Sequence, residues 1–310
     1  MKVLFLTGPT ACGKTEYAIE LARKYDGEIV SADSMQIYRF MDIGSAKPTA
    51  GERALARHWL VDAIDPKTPF NAADYQVRAR ECIREIASRG KLPIVSGGTG
   101  LYINALLYDM DFSAPKGDDG YRQRVYSECG QDPQKVHQRL QALDPEAAEM
   151  IHPNNVKRML RAIERLEHGE KKLAAFAGAV DPYPEYDSLL LGLDRDRGEL
   201  YSRIDRRVDK ILASGLEGEV RSLMDMGFTT GDIAMKGIGY KEVIACLEEG
   251  RSADDAADLI KKNTRHYARR QLIWLRRYPQ MHWVTLRGDG FDEEAFACMR
   301  TWIESWLNRN

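Results

Sequence analysis

Gly8-Pro9-Thr10-Ala11-Cys12-Gly13-Lys14-Thr15, entered from the apolar run Val3–Thr7 and left through the helical pattern Thr15–Tyr25, decides the fold. The spacing is G-x-x-x-x-G-K-[ST]. Such a loop turns its backbone N–H groups inward around phosphate oxygens, and the following helix adds the positive end of its dipole. Lys14 is placed to neutralise phosphate charge and Thr15 to ligate Mg²⁺. The motif selects a di- or triphosphate and leaves the reaction open.

Outward from this loop, strands and helices alternate. Glu28–Ala32 reads as a second strand, Trp59–Ile64 as a third and Leu92–Ser96 as a further buried one. A helix opened by the capping pair Asn71 and Asp74 runs to about Gly90, and Leu101–Leu107 starts another. Alternation of this kind implies a parallel sheet with helices on its faces. Two more loops leave strand ends beside the first. They are Ser31–Tyr38, carrying Asp33, and Ser96–Tyr102, carrying Gly97, Gly98 and Thr99. In an open α/β sheet the carboxyl ends of the strands line the ligand crevice. Asp33 there is either a metal-ligating carboxylate or a general base, against the plainer reading of a helix cap. Thr99 is a hydroxyl donor or simply the cap of the next helix.

The pattern changes after about residue 113. Residues 114–120 read as a linker, and Arg122 to about Leu173 is polar and helical without a strand signal, punctuated by Pro133, Pro145 and Pro153. Strand character returns at Leu189–Leu193. An amphipathic helix with Leu200, Ile204, Val208, Ile211 and Leu212 on one face follows, stopped by Gly215, and His282–Leu286 is a last strand. The expected division is a core of residues 1–113 and 189–310 with a helical insertion at 114–188.

The 310 residues carry a formal net charge of −2, so the chain as a whole is not a basic nucleic-acid binder and any such surface must be local. Lys261–Tyr278 supplies one, with seven Lys or Arg and no acid; Lys261, Arg265 and Arg269 fall on one helical stripe. The bland alternative is a solvated basic face over a core stripe. Lys157, Arg158 and Arg161 form a second cluster. The five cysteines make no C-x-x-C pair, which argues for reduced thiols, a cytoplasmic setting and no zinc. No apolar run approaches a membrane span.

Taken in order, GPTACGKT (8–15), SADSMQIY (31–38), DIGSAKP (42–48), HWLVDAIDP (58–66), FNAADY (70–75), SGGTGLY (96–102), HPNNVKRMLRAIE (152–164), GIGYKE (237–242) and TRHYARRQLIW (264–274) resemble the tRNA dimethylallyltransferase family over nearly the whole chain. The resemblance implies an α/β core like that of P-loop NTPases, with a parallel sheet, helices on both faces and an all-helical insertion gripping the tRNA anticodon stem-loop. It implies transfer of a dimethylallyl group from dimethylallyl diphosphate to N6 of the adenine 3′-adjacent to the anticodon, with Mg²⁺; the expected form is a monomer in the cytoplasm. By the same resemblance Asp33 is the general base, with Thr99 beside it. Gly8, Thr10, Ala11, Cys12, Gly13, Lys14 and Thr15 hold the diphosphate, and Asp33, Ser34, Met35, Gln36, Thr99, Arg122, Lys157, Arg158 and Arg161 contact tRNA. Arg265 and Arg269 join that surface through the basic-helix reading above. Lys236 stands where some members carry a diphosphate-binding arginine, whose bidentate contact a lysine cannot reproduce. Ser45 replaces the family's usual Thr and keeps the hydroxyl. Two rivals share the loop: a small-molecule kinase, for which the basic aromatic helix has no use, and a nucleotide-gated tRNA-binding module without turnover.

Overall fold

In the computed structural model, which describes residues 1–110, 112, 118–169 and 181–309, the strand that feeds the phosphate loop lies inside a single sheet. The strands are β1 (Lys2–Thr7), β2 (Gly27–Ala32), β3 (His58–Trp59), β4 (Leu92–Gly97), β5 (Asp187–Arg195) and β6 (His282–Leu286). All pair in parallel, in the order β3-β2-β4-β1-β5-β6. The helices between are α1 (Lys14–Lys24), α2 (Ala50–Leu55), α3 (Ala72–Ser88), α4 (Gly100–Leu107), α5 (Asp119–Glu128), α6 (Pro133–Leu143), α7 (Pro145–Met150) and α8 (Val156–Glu167). After β5 come α9 (Arg197–Ala213), α10 (Leu216–Asp225), α11 (Tyr240–Glu248) and α12 (Ala257–Leu275), and after β6 comes α13 (Glu293–Leu307).

Strand alternation sorts the core. Leu4 and Leu6 of β1, Ile94 of β4 and Leu189, Leu191 and Leu193 of β5 share one apolar cluster with Tyr17 and Leu21 of α1, Ile204 of α9 and Trp306 of α13. Val3 and Phe5, equally buried, alternate with them toward the other face. Each such side chain stabilises the fold by about 1.5–3 kcal/mol through burial, which is why the central strands read as continuous apolar runs. α3 begins with the expected capping box, Asn71 accepting from the Ala73 and Asp74 amides while Asp74 accepts from the Asn71 amide.

The chain divides into two compact units, Met1–Asp109 with Pro182–Asn310, and Met110–Asp181. The second unit is helical throughout its described residues. Tyr121 and Val125 of α5, Val136 and Leu140 of α6 and Met159 and Ile163 of α8 form its core. Pro133 and Pro145 open α6 and α7 at their first turns, behind the caps Asp132 and Asp144.

Three readings of the sequence change. The strand expected over Trp59–Ile64 ends at Trp59, because Leu60 and Asp62 adopt left-handed φ values of 60° and 55° that no strand tolerates. Ile64 regains only an isolated bridge to Tyr38. Pro182–Ser188, expected within the insertion, belongs to the sheet unit, since Pro182 bridges to Tyr108 and β5 starts at Asp187. Of the linker expected at 114–120, residues 114–117 lie outside those described, and Asp118 caps α5. The last part of the helical reading, 170–173, also lies outside them.

Candidate active site

Register brings the three loops to one edge. Thr7 of β1 and Ala32 of β2 both sit level with Gly97 of β4, so the phosphate loop, the Asp33 loop and the Gly98–Thr99 loop leave the sheet side by side. The Thr7 hydroxyl donates to the Gly97 carbonyl at 2.9 Å and ties the first and third together. Gly13 caps α1 with φ 113°, a left-handed value that a side chain would strain. Lys14 Nζ arches over its own loop, donating to the carbonyls of Gly8 (3.0 Å) and Pro9 (2.7 Å). Other loop carbonyls are held from outside, Ala11 by Arg203 Nε (3.0 Å) and Cys12 by Arg195 Nε (2.9 Å). Both contacts add positive charge beside the loop. The Cys12 side chain is fully buried in the apolar core, and Cys12 lines neither of the two clefts beside these loops.

Asp33 holds its turn with one oxygen. Its Oδ1 accepts the amides of Met35 (2.8 Å) and Gln36 (3.2 Å). The cap reading of Asp33 is thus half right, since a carboxylate needs only one oxygen for that task. Thr99 Oγ1 accepts the Ser34 amide at 3.1 Å, linking the Asp33 loop to the glycine loop. Gln271 of α12 completes the frame: it accepts the Thr10 amide (2.8 Å) and donates to the Gly98 carbonyl (2.9 Å). A Cβ on Gly98 would lie 2.2 Å from the Gln271 amide nitrogen. This glycine therefore makes room for the Gln271 clamp, and it also lines the larger cleft.

The loops open onto a cleft of about 1020 Å³ lined by Lys14, Thr15, Asp33, Arg207, Tyr267 and Gln271 among others. A smaller cleft of about 330 Å³ shares Thr10, Asp33, Arg207, Ile211 and Tyr267 with it. Asp33 therefore lies where the two meet. α9 carries most of the added charge: Arg203, Arg206, Arg207 and Lys210 all line the larger cleft. Burial weakens the hold of Arg207 on its proton, and the nearby Asp33 carboxylate opposes that. Burial also raises the Tyr267 phenol, with Asp33 adding to the effect, so Tyr267 stays neutral.

The remaining candidates separate. Ser34 and Met35 line the smaller cleft. Gln36 lines the larger one and donates to the Ala46 carbonyl at 3.1 Å. Lys236 is exposed on the wall of the smaller cleft, which reaches the phosphate loop through Thr10. Arg122 pairs with Asp119 at 2.7 Å and Glu164 at 3.5 Å within the helical unit, whereas Lys157, Arg158 and Arg161 are exposed along α8. On α12, Lys261 pairs with Asp209 and Arg265 with Asp205, each at 2.6 Å. The four-residue spacing of the bases matches that of the acids on α9, so two members of the basic stripe bind the fold itself. Arg269 remains exposed.

For a metal, the Thr15 hydroxyl and the Asp33 carboxylate are hard oxygen donors on one cleft. Among the described residues no group of three or more His, Cys, Asp or Glu converges. Mg²⁺ is commonly held by one or two protein oxygens plus substrate phosphates and water, and these donors fit that pattern.

Sequence reasoning missed Gln271 as a clamp and Arg203, Arg206 and Arg207 as cleft cations. A polar residue inside the buried stripe of Ala268 and Leu275 was the signal for the first. Four bases on the polar face of one amphipathic helix were the signal for the others.

The family described as IPP transferase matches residues 36–278. A tRNA dimethylallyltransferase of Alkaliphilus metalliredigens is 47% identical over 99% of this chain and 98% of its own. One of Acetivibrio thermocellus is 44% identical over 98% of each. Among solved structures, the tRNA isopentenylpyrophosphate transferase of Bacillus halodurans superposes with a TM-score of 0.74 at 37% identity, covering 99% of this chain and 96% of that one. A eukaryotic dimethylallyltransferase acting on tRNA gives 0.78 at 25% identity, over 98% and 80%. With its ordered motifs, its phosphate loop and Asp33 on one cleft, and matches along its full length, the chain belongs to the IPP transferase family.

Proposed function

We propose that this protein transfers the dimethylallyl group of dimethylallyl diphosphate to N6 of the adenine 3′-adjacent to the anticodon in tRNA, releasing diphosphate. The observation that carries the reading is the shared cleft, in which Lys14 and Thr15 of the phosphate loop and the carboxylate of Asp33 face one space. The names and full-length similarity of the relatives support the substrate pair.

The chemical difficulty is a poor nucleophile, because the N6 lone pair is delocalised into the purine ring. Three contributions answer it. The cleft aligns N6 with the allylic carbon, which supplies proximity. As the C–N bond forms and the C–O bond to diphosphate breaks, the Asp33 carboxylate takes the N6 proton through the oxygen not used by its turn. Lys14, the loop amides and Arg207 stabilise the departing diphosphate. The Thr15 hydroxyl would help hold Mg²⁺ with the diphosphate, and the ion would supply further charge neutralisation. Thr99 holds the Asp33 loop against the glycine loop. The target adenine must leave its stack, a smaller cost in an anticodon loop whose bases are already unpaired.

The helical unit grips the anticodon stem through Lys157, Arg158 and Arg161, exposed together on α8. The proposed form is a cytoplasmic monomer. Among the described residues no helix is long and apolar enough to cross a membrane. The test is incubation with dimethylallyl-labelled diphosphate or γ-labelled ATP, with and without tRNA. Label from the diphosphate should enter tRNA at one adenine. Label moving from ATP to a small molecule, or tRNA bound without turnover, would replace this reading.

A further inference from the structure

The segment Asp42–Lys47 walls both clefts, with Asp42, Ile43, Ala46 and Lys47 on the larger and Gly44 and Ser45 on the smaller. It belongs to no helix or strand, and its own turn bonds run from the Ala46 amide to the Ile43 carbonyl (2.9 Å) and from the Lys47 amide to the Asp42 carbonyl (3.1 Å). One carboxylate ties the rest of it down from outside. Glu219 Oε2 accepts the amides of Asp42 (2.8 Å) and Ile43 (2.7 Å), and Oε1 accepts the amide of Gly44 (3.0 Å) and the Tyr240 hydroxyl (2.6 Å). Three successive N–H groups thus converge on a side chain that α10 delivers from far along the chain. Tyr240, buried at the start of α11, fills the other side: a Cβ on Gly44 would lie 2.5 Å from its ring.

The loop in turn holds the Asp33 turn. Gln36 donates to the carbonyls of Ala46 (3.1 Å) and Ser45 (3.4 Å), and its own amide is one of the two that Asp33 Oδ1 accepts. At its far end Lys47 is buried against Asp42, at 2.7 Å, and Asp62.

We propose that Glu219, backed by Tyr240, is a positioning residue for the reaction: it sets the Asp42–Lys47 wall and, through Gln36, the aim of the Asp33 carboxylate. Glu219 itself lines neither cleft. Hydrogen bonds to a charged acceptor are stronger than neutral ones, and four of them on one carboxylate define a single loop conformation. Glutamine at this position keeps one acceptor oxygen and replaces the other with an NH₂ that repels the amides it must face. Loss of the latch misplaces the base, and a shift of about 1 Å costs on the order of 10²-fold in rate.

The inference rests on the transferase reading, and the experiment separates the two. Wild type, Glu219→Gln and Gly44→Ala are compared in single-turnover transfer to tRNA, with the affinity for inorganic diphosphate from calorimetry and the melting temperature alongside. If wild type forms no prenylated tRNA, the function itself is wrong. Given an active wild type, Glu219→Gln is expected to slow the chemical step about 10–10²-fold while diphosphate affinity stays within about twofold, because the phosphate loop is held by other residues. Gly44→Ala should give the same signature by pressing the same loop off Tyr240. A folded Glu219→Gln with wild-type turnover overturns the proposal, as does a loss of diphosphate affinity that matches the loss of rate. Should Glu219→Gln fail to fold, Gly44→Ala decides by the same two criteria.

Discussion

Replacing Asp33 with Asn separates the two tasks this residue performs. Oδ1 accepts two amides, from Met35 and Gln36, and the asparagine oxygen can accept both. The turn should therefore survive, with a stability change well under the ~1 kcal/mol typical of one lost hydrogen bond. What disappears is the negative charge and the proton acceptor on the second oxygen. General base catalysis contributes about 10²–10⁴-fold, or roughly 3–5 kcal/mol of barrier at 1.36 kcal/mol per decade. Nothing in the phosphate loop is altered, because Lys14 and Gln271 bind it from other directions. Removing a carboxylate from a cleft shared with Arg207 leaves inorganic diphosphate bound as tightly or slightly more so. Single-turnover transfer, calorimetry with inorganic diphosphate and a Mg²⁺ titration measure these quantities. An Asn variant with near-normal chemistry, weakened diphosphate binding and a raised Mg²⁺ requirement would make Asp33 a metal ligand and refute its assignment as base.

Gln271→Ala leaves the half-buried Thr10 amide and the buried Gly98 carbonyl without their partner; at about 1–3 kcal/mol for the buried unsatisfied group, the melting temperature and diphosphate affinity should both fall, and an unchanged pair of values would remove the clamp from the argument. Glu28, buried between Arg89 and Trp59, has its carboxyl lowered to about 2, chiefly by the Arg89 hydrogen bond. Its stabilisation is fully present above its ordinary value near 4.5 and is lost as pH falls toward 2. The shift corresponds to at most about 3 kcal/mol, nearer 1–2 once solvent around the third-exposed Arg89 side chain is counted. Wild type should lose its stability advantage over Glu28→Gln across that window, and parallel pH–melting curves would contradict this. For tRNA, Arg158→Gln with Arg161→Gln should lower the salt slope of binding by about 1.4–1.8, at 0.7–0.9 per phosphate contact, whereas Arg265→Gln should cost stability through Asp205 and leave the slope alone; equal slopes for both variants would count against this division.

The sheet was readable wherever a run of apolar residues was bounded by a loop with its own chemistry. β1, β2, β4, β5 and β6 all fall where the sequence places them, and so do α1, α3 and α4. The misreading at 60–64 has a physical cause. Leu60, Val61 and Ala63 are as apolar as a strand, but positive φ at Leu60 and Asp62 turns the chain so that Asp62 reaches Lys47 and Arg53. Only Leu60 and Ile64 are buried, with Val61 half-buried and Ala63 exposed, so the apolar run anchors a loop at two points rather than forming a ladder. The short α2 escaped notice although Thr49 and Glu52 form a complete capping box, because it buries no residue and so leaves no apolar period.

The site was legible where its parts are local in sequence and opaque where they are not. The phosphate loop, Asp33 and Thr99 follow strand ends that any parallel sheet aligns, so position along the chain was enough to gather them. Arg203 reaches Ala11 across 192 positions and Gln271 reaches Thr10 across 261, and no spacing rule connects such pairs. The basic helix shows the converse error. Lys261 and Arg265 are dense positive charge in sequence, yet Asp205 and Asp209 repeat on α9 with the same four-residue period. Charge read one helix at a time overstates the surface, since a packed neighbour of matching period cancels it. The same comparison raises the weight of α9, whose Arg203, Arg206, Arg207 and Lys210 line the cleft from a helix that looked merely amphipathic. Two of these cations share Asp289, which accepts from Arg206 at 3.0 Å and Arg203 at 3.3 Å. Asp289 lines the same cleft and therefore offsets part of the charge that Arg203 and Arg206 bring to it.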